Sequence, residues 1–482
     1  MRDIRELTLC GLKQALHDKT CTSAQIVVAY KQAAGDDRSH EKPLNAYIEF
    51  FSDAMDMAAR ADALRTQDKG GLLNGLPLAV KDNIMIQGKE ATCASRMLKG
   101  FLSPYSATVI ERLAAEGAVF LGRTNMDEFA MGSSCEYSCY GSARNPVNRD
   151  YAPGGSSGGS ACAVAAKLAP CALGSDTGGS VRLPASFCGI YGLKPSYGTL
   201  SRYGLIAYGS SLDQIGILAR SPEDIALILM TAAGHDPKDG TSAETDFSAC
   251  FPLTPLNFNG KKIALVKEFT EKGVDPEVYE ITKRFAAWLK KRGAQVAEIS
   301  LPVLHYAVPC YYIIAPAEAS SNLARFDGVQ YGFRDEETHS LQEMYVSTRT
   351  KGFGTEVKRR IFIGNYVLSS GYYDAYYKKA QAVRSLLSRE CLKLFSDIDF
   401  MLSPTAPVPP FPLGSKVDDP LAMYSTDMCT TFANLTGLPA LSIPAGFTKA
   451  GLPVGVQLTA GMFCEQSLLQ SALSWHTGGE GA

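Results

Sequence analysis

Apolar and polar positions along the chain follow two periods. After Asp275-Pro276, the residues Val278, Ile281, Phe285, Trp288 and Leu289 recur at steps of one, three and four up to Gly293. That spacing predicts an amphipathic helix opened by proline in its first turn and closed by glycine, followed by a strand over 294–299. Thr22-Ser23-Ala24-Gln25 has the form of a capping box, with Ile26, Val27 and Tyr30 on the inner face of the helix it starts. Residues 107–115 read as a further helix, and 118–122 and 262–266 as strands. The run 161–173 is mostly Ala, Val, Leu and Cys with one lysine, and reads as a buried helix. Helix followed by strand, repeated, predicts an α/β fold of crossover units around a largely parallel sheet.

Composition narrows the class. The 482 residues, 46% hydrophobic and 20% charged, can bury a large core. Length alone allows roughly three domains. No proline- or serine-rich linker, single-sign charge run or internal repeat divides the chain, so one domain over 1–482 is expected. A net charge of −2 leaves no basic footprint for gripping nucleic acid directly. Thirteen cysteines, an odd number without a CxxC motif, predict reduced thiols and a cytoplasmic setting. Cys135 and Cys139 lack the second ligand pair of a zinc site. No apolar run reaches the roughly 18 residues of a membrane span, and the mixed-charge start Met1 to Leu7 has no apolar signal core.

Two glycine- and serine-rich runs carry the chemistry: Gly154-Gly155-Ser156-Ser157-Gly158-Gly159-Ser160 and Gly174-Ser175-Asp176-Thr177-Gly178-Gly179-Ser180. Glycine admits positive φ and close approach, so amides can aim at an anionic oxygen while a neighbouring hydroxyl attacks. By composition alone such runs also describe linkers, but these two bracket the apolar stretch 161–173. A third segment, Gly75 to Asn83, reads as a short apolar strand ending in Lys81. Amide cleavage by serine needs a base, and none of His17, His40, His235, His305, His339 and His476 falls in these motifs. A lysine whose charge is disfavoured by burial can serve instead.

In residues and in order, the three segments resemble the amidase-signature family: Lys81 in Ala79-Val80-Lys81-Asp82-Asn83, Ser156 in the first run, and Ser180 with Arg182 and Pro184 in Gly-Gly-Ser-x-Arg-x-Pro. The resemblance implies a central twisted mixed β-sheet surrounded by α-helices, with the signature core at about 70–210. It also implies a Ser–Ser–Lys relay. Ser180 would be the nucleophile, Ser156 the middle group at a cis peptide, and Lys81 the base and later the acid. Backbone amides of Thr177, Gly178, Gly179 and Ser180 would form the oxyanion hole, with Asp176 and Arg182 bracing the loop.

Further along, Tyr311-Tyr312, Glu318 to Gly328, Val357 to Ile361, Ser369 to Tyr377, Met423-Tyr424 and Asp427 resemble the A subunits of bacterial-type glutamyl-tRNA(Gln)/aspartyl-tRNA(Asn) amidotransferases. That narrower resemblance implies an acyl pocket for glutamine within about 300–440, with Arg360 for its α-carboxylate and Asp427 for its α-ammonium. Tyr311 would add a phenolic hydrogen bond, a role its neighbour Tyr312 could equally fill. Read without the family, Lys358-Arg359-Arg360 is a solvated helix face, and Tyr372, Tyr373, Tyr376 and Tyr377 are a packing or interface stripe.

The same resemblance implies a heterotrimer completed by the B and C subunits of the amidotransferase. Ammonia released here would pass to the B subunit, where ATP and Mg²⁺ activate misacylated Glu-tRNA(Gln) or Asp-tRNA(Asn), and tRNA contact would come mainly through that partner. No cofactor is expected in this chain, whose glycine-rich runs lack the Gly-Lys-Ser/Thr ending of a phosphate loop. Two other readings stand beside it: a stand-alone amidase for a small neutral amide, and a catalytically silent scaffold subunit. The segment 459–463, in place of a Gly-Pro-rich turn, and the tail 477–482, without a basic proline-containing ending, depart from the family pattern.

Overall fold

In a computed structural model that describes residues 3–270 and 273–478, eleven strands join in one sheet. They are β1 (Tyr47–Phe50), β2 (Pro77–Lys81), β3 (Val119–Thr124), β4 (Cys171–Asp176), β5 (Tyr191–Lys194), β6 (Gln214–Ala219), β7 (Lys262–Val266), β8 (Gln295–Ile299), β9 (Phe400–Pro404), β10 (Ala440–Phe447) and β11 (Pro453–Ala460). Their order is β1-β3-β2-β4-β6-β5-β10-β11-β9-β7-β8, with helices around them.

The sheet is mixed, not largely parallel. Parallel ladders join β2 to β3 and β4, and β7 to β8 and β9. The remaining six are antiparallel. The helix-then-strand pattern picked out the crossovers: Thr108–Ala115 links β2 to β3, and Pro276–Lys291 links β7 to β8. It missed the middle of the sheet, where β10 turns directly into β11 through Thr448 and Leu452 and needs no helix.

Local signals were clearer. Thr22 Oγ1 accepts from the Gln25 amide at 3.2 Å and Gln25 Oε1 from the Thr22 amide at 3.0 Å, so the capping box opens helix Ser23–Arg38. Helix Pro276–Lys291 buries Val278, Ile281, Phe285, Trp288 and Leu289, and Trp288 meets Trp475 edge-on at 5.0 Å. The reading of 161–173 as one helix is corrected. Helix Gly158–Ala165 ends early, the chain reverses at Lys167 with φ +57°, and β4 begins at Cys171. A buried helix and a buried strand both present unbroken apolar runs, so periodicity could not divide them.

These elements place the motifs. β2 and β4 are parallel neighbours, so the lysine closing β2 and the loop following β4 emerge at the same sheet edge. Helix Gly158–Ala165 packs beneath, bringing the first Gly/Ser run beside them. Residues 459–463 finish β11 and lead into helix Glu465–Thr477, with the Phe463 amide donating to Ser196 Oγ at 2.8 Å. Of the atypical tail, residues 479–482 lie outside the described residues. Among the described residues no helix is long and apolar enough to cross a membrane.

Candidate active site

Lys81 is fully buried, and its Nζ lies in a cage of serine oxygens. It donates to Ser156 Oγ at 2.7 Å, Ser157 Oγ at 2.8 Å and Ser175 Oγ at 2.9 Å, with the Ser175 carbonyl at 3.3 Å. Among the described residues no carboxylate bonds it directly. Burial pushes its pKa down to about 8, while the more distant Asp127, Cys135 and Asp176 pull the other way. The peptide Gly155–Ser156 is cis.

Ser180 closes the second run and is 8% exposed. The Ser157 amide donates to the Ser180 carbonyl at 3.0 Å, tying the two runs together. Among the described residues the Ser180 hydroxyl has no hydrogen-bond partner, so the line Lys81–Ser156 is closed and the step to Ser180 is open.

The loop carrying Ser180 is held by a buried ion pair. Asp176 accepts from Arg182 Nε at 3.0 Å and Nη2 at 2.9 Å, from Asn434 Nδ2 at 3.0 Å, and from the Val181 amide at 3.1 Å. Burial alone would raise its pKa, but the Arg182 guanidinium outweighs it and holds the carboxyl well below the usual range. Arg182 also reaches the Thr430 carbonyl at 2.9 Å and Gln457 Oε1 at 2.7 Å.

The expected oxyanion amides are not equivalent. Gly179, with φ +142°, donates its amide to Asp176 Oδ1 at 2.9 Å, so that hydrogen is committed inside the loop. Among the described residues the amides of Thr177, Gly178 and Ser180 have no partner. A Cβ at Gly178 would fall 2.5 Å from Tyr311 Cζ, so the glycine lets the tyrosine ring lie directly on the loop.

Tyr311 leads outward to the second group of residues. It meets Tyr312 edge-on at 4.9 Å, and the Tyr312 hydroxyl donates to Asp427 Oδ2 at 2.7 Å. Ser133 Oγ donates to both oxygens of Asp427, at 3.0 and 2.9 Å. Burial pushes the Asp427 pKa up to about 6, with Tyr312 and Ser133 opposing. Thr430 Oγ1 bridges the Gly178 carbonyl at 2.6 Å and the Asp427 carbonyl at 3.1 Å, connecting the anion to the loop that carries Ser180.

Arg360, on helix Thr355–Leu368, is buried and is not part of a solvated face. Its Nε donates to Glu356 Oε1 at 2.8 Å and its Nη1 to the Tyr208 hydroxyl at 2.6 Å. The rings of Tyr208, Tyr312 and Tyr424 surround the guanidinium with centroids at 5.4–5.6 Å. Glu356 also pairs with Arg359, so the three charges keep a net positive sign. The tyrosine stripe lies elsewhere. Tyr372, Tyr373 and Tyr376 are exposed, and Tyr372 packs on Tyr366 at 4.4 Å.

The sequence profile of the amidase family matches residues 32–469, spanning both Gly/Ser runs and the outer charges. The chain belongs to the amidase family. It is 50% identical over 480 residues to the A subunit of the Treponema denticola glutamyl-tRNA(Gln) amidotransferase, covering 98% of this chain and 99% of that one. The crystal structure of the A subunit of the Thermotoga maritima glutamyl-tRNA(Gln) amidotransferase superposes with a TM-score of 0.79 at 37% identity, covering 98% and 95% of the two chains. A native peptide amidase from Stenotrophomonas maltophilia superposes with a TM-score of 0.82 at 28% identity, covering 98% and 97%.

Several residues of this amidase site escaped the sequence reading. Ser157 and Ser175 sit inside the two runs but carry no mark that separates them from glycine-loop filler. Asn83, two residues after Lys81, donates to Ser175 Oγ at 2.9 Å. Glu356 stands one helical turn before Arg360, a spacing that could have signalled an ion pair. Tyr208 and Ser133 come from distant segments, and only folding brings them in; Tyr424 was part of the resemblance but carried no role there.

Proposed function

We propose that this chain is the glutaminase subunit of a tRNA-dependent amidotransferase, releasing ammonia from glutamine through an acyl-enzyme on Ser180. The observation that carries the reading is a buried lysine bonded to Ser156, beside a serine loop with three free amides, in the same site as a buried cation and a buried anion. Arg360 and Asp427 match the two charges of a free amino acid, which a neutral amide does not have. Near-complete coverage of the A-type amidotransferase relatives at half identity favours the same substrate.

In this reading Ser180 Oγ attacks the side-chain amide carbon as its proton passes to Ser156 and the Ser156 proton passes to Lys81. The carbonyl oxygen becomes an oxyanion facing the Gly178 and Ser180 amides, each such donor being worth about 3 kcal/mol in comparable sites. The lysine proton returns through Ser156 to the leaving nitrogen, the C–N bond breaks, and ammonia departs. Water then attacks the ester by the same path, and glutamate leaves with Ser180 restored. The open step between Ser156 and Ser180 closes when substrate orders the nucleophile, since catalytic hydrogen bonds commonly tighten only in the complex. Tyr311, lying on Gly178, would contact the acyl group, while the Tyr312 hydroxyl is already held by Asp427.

Ammonia would be consumed on the partner B and C subunits, with ATP, Mg²⁺ and the misacylated tRNA engaged there. Labelling with a small phosphonyl probe, followed by peptide mapping, tests the acyl-enzyme. The adduct is expected on Ser180; an unlabelled protein would favour a silent scaffold.

A further inference from the structure

The cage around Lys81 does more than bury it. A neutral amine has two hydrogens and one lone pair, and only the lone pair can take a proton from Ser156. Three hydroxyls surround Nζ, so the amine must be told which one to face. We propose that Ser157 and Ser175 are positioning residues that take the two hydrogens and thereby aim the lone pair at Ser156.

The hydrogen bonds around each oxygen give the direction. Ser157 Oγ donates its proton to the Ser175 carbonyl at 3.1 Å and accepts from the Ser175 amide at 3.3 Å, and so presents a lone pair to Nζ. On the Ser175 side, Lys81 Nζ faces both Oγ at 2.9 Å and the main-chain carbonyl at 3.3 Å. A carbonyl accepts and never donates, so one shared N–H fits this pair and a lone pair does not. Asn83 Nδ2 donates to Ser175 Oγ as well, taking one lone pair of that hydroxyl and leaving the other to the shared N–H of Lys81. The remaining direction from Nζ holds Ser156 Oγ at 2.7 Å, whose proton has no other acceptor among the described residues. All four groups are buried, so no bulk water competes for these directions.

The inference rests on the proposed role of Lys81 as base, and the test separates the two. Ammonia release from glutamine is measured against pH for the assembled enzyme carrying Ser157→Ala, Ser175→Ala or Ser180→Ala. Each alanine at the cage removes an acceptor that serves the charged lysine more strongly than the neutral one. The acid limb of kcat/KM is therefore expected about one unit lower in pH, and the plateau about three- to tenfold lower, because the lone pair is freed to turn toward the vacated side. Limb position does not depend on how much enzyme is folded, so partial loss of protein leaves the readout intact. A limb that stays at its wild-type pH in both cage variants, whatever the drop in rate, would overturn the inference and leave a packing role. Full activity in Ser180→Ala would instead overturn the reading of the site itself.

Discussion

Arg360→Ala removes the cation assigned to the glutamine α-carboxylate, and the structure sets the size of the effect. Of its three nitrogens, Nε is engaged by Glu356 at 2.8 Å and Nη1 by Tyr208 at 2.6 Å, while Nη2 has no partner among the described residues. Nη2 carries two hydrogens, and a charge-assisted hydrogen bond is worth about 1.5–3 kcal/mol. Two of them give about 3–6 kcal/mol, which at about 1.4 kcal/mol per tenfold predicts a fall in kcat/KM for glutamine on the order of 10²–10⁴-fold. Glu356 keeps Arg359 and the Tyr424 hydroxyl at 2.8 Å, so its buried carboxylate is not abandoned and the fold should survive. Steady-state ammonia release gives the first number. The rate of Ser180 labelling by a phosphonyl probe with no carboxylate gives the control, expected to change less than about threefold. Equal losses in both assays, or no loss in either, would refute the assignment and leave Arg360 as part of the packing of the tyrosine box.

Other expectations follow from the same geometry. Burial holds the Lys81 pKa at about 8, and the base is the neutral form, so kcat/KM should rise about tenfold per pH unit below 8 and level off above it. Lys81→Ala should remove that limb and lower the rate by about 10²–10⁴, read in the same pH series. Asp427, with a pKa pushed up to about 6, is anionic above that pH; KM for glutamine should climb as pH falls through 6, and Asp427→Asn should raise KM at neutral pH and abolish the dependence. Asp176→Ala leaves Arg182 buried and unpaired, which costs about 3–5 kcal/mol and should appear as a marked drop in melting temperature. Because Asp176 titrates well below the ordinary carboxylate value of 3.8, its stabilising contribution is present above that pH and is lost only in stronger acid, so mild acidification should not mimic the mutation.

Much of the candidate site was legible because each of its three segments is short and continuous in sequence. Lys81 ends an apolar strand, and the serines lie in glycine runs whose composition itself implies close backbone approach. Parallel pairing of β2 with β4 then brings those parts together at one edge. Helices with caps and a clear stripe were equally readable, as Ser23–Arg38 and Pro276–Lys291 show. The boundary between helix Gly158–Ala165 and β4 was not, because both are buried on every side and offer no polar face to set a period. Sheet order was hidden for a similar reason: the antiparallel centre joins strands far apart in sequence, such as β5 with β10. Arg360 shows the limit for site residues. In sequence it belongs to a basic cluster of surface type, and its burial depends on Tyr208, Tyr312 and Tyr424 arriving from three other segments.

The most direct test is ammonia release from glutamine by this chain co-expressed with candidate B and C subunits, comparing wild type with Ser180→Ala. The account predicts turnover in the wild type and its loss in a Ser180→Ala complex that still assembles. Glutamine turnover that persists without the Ser180 hydroxyl would contradict it.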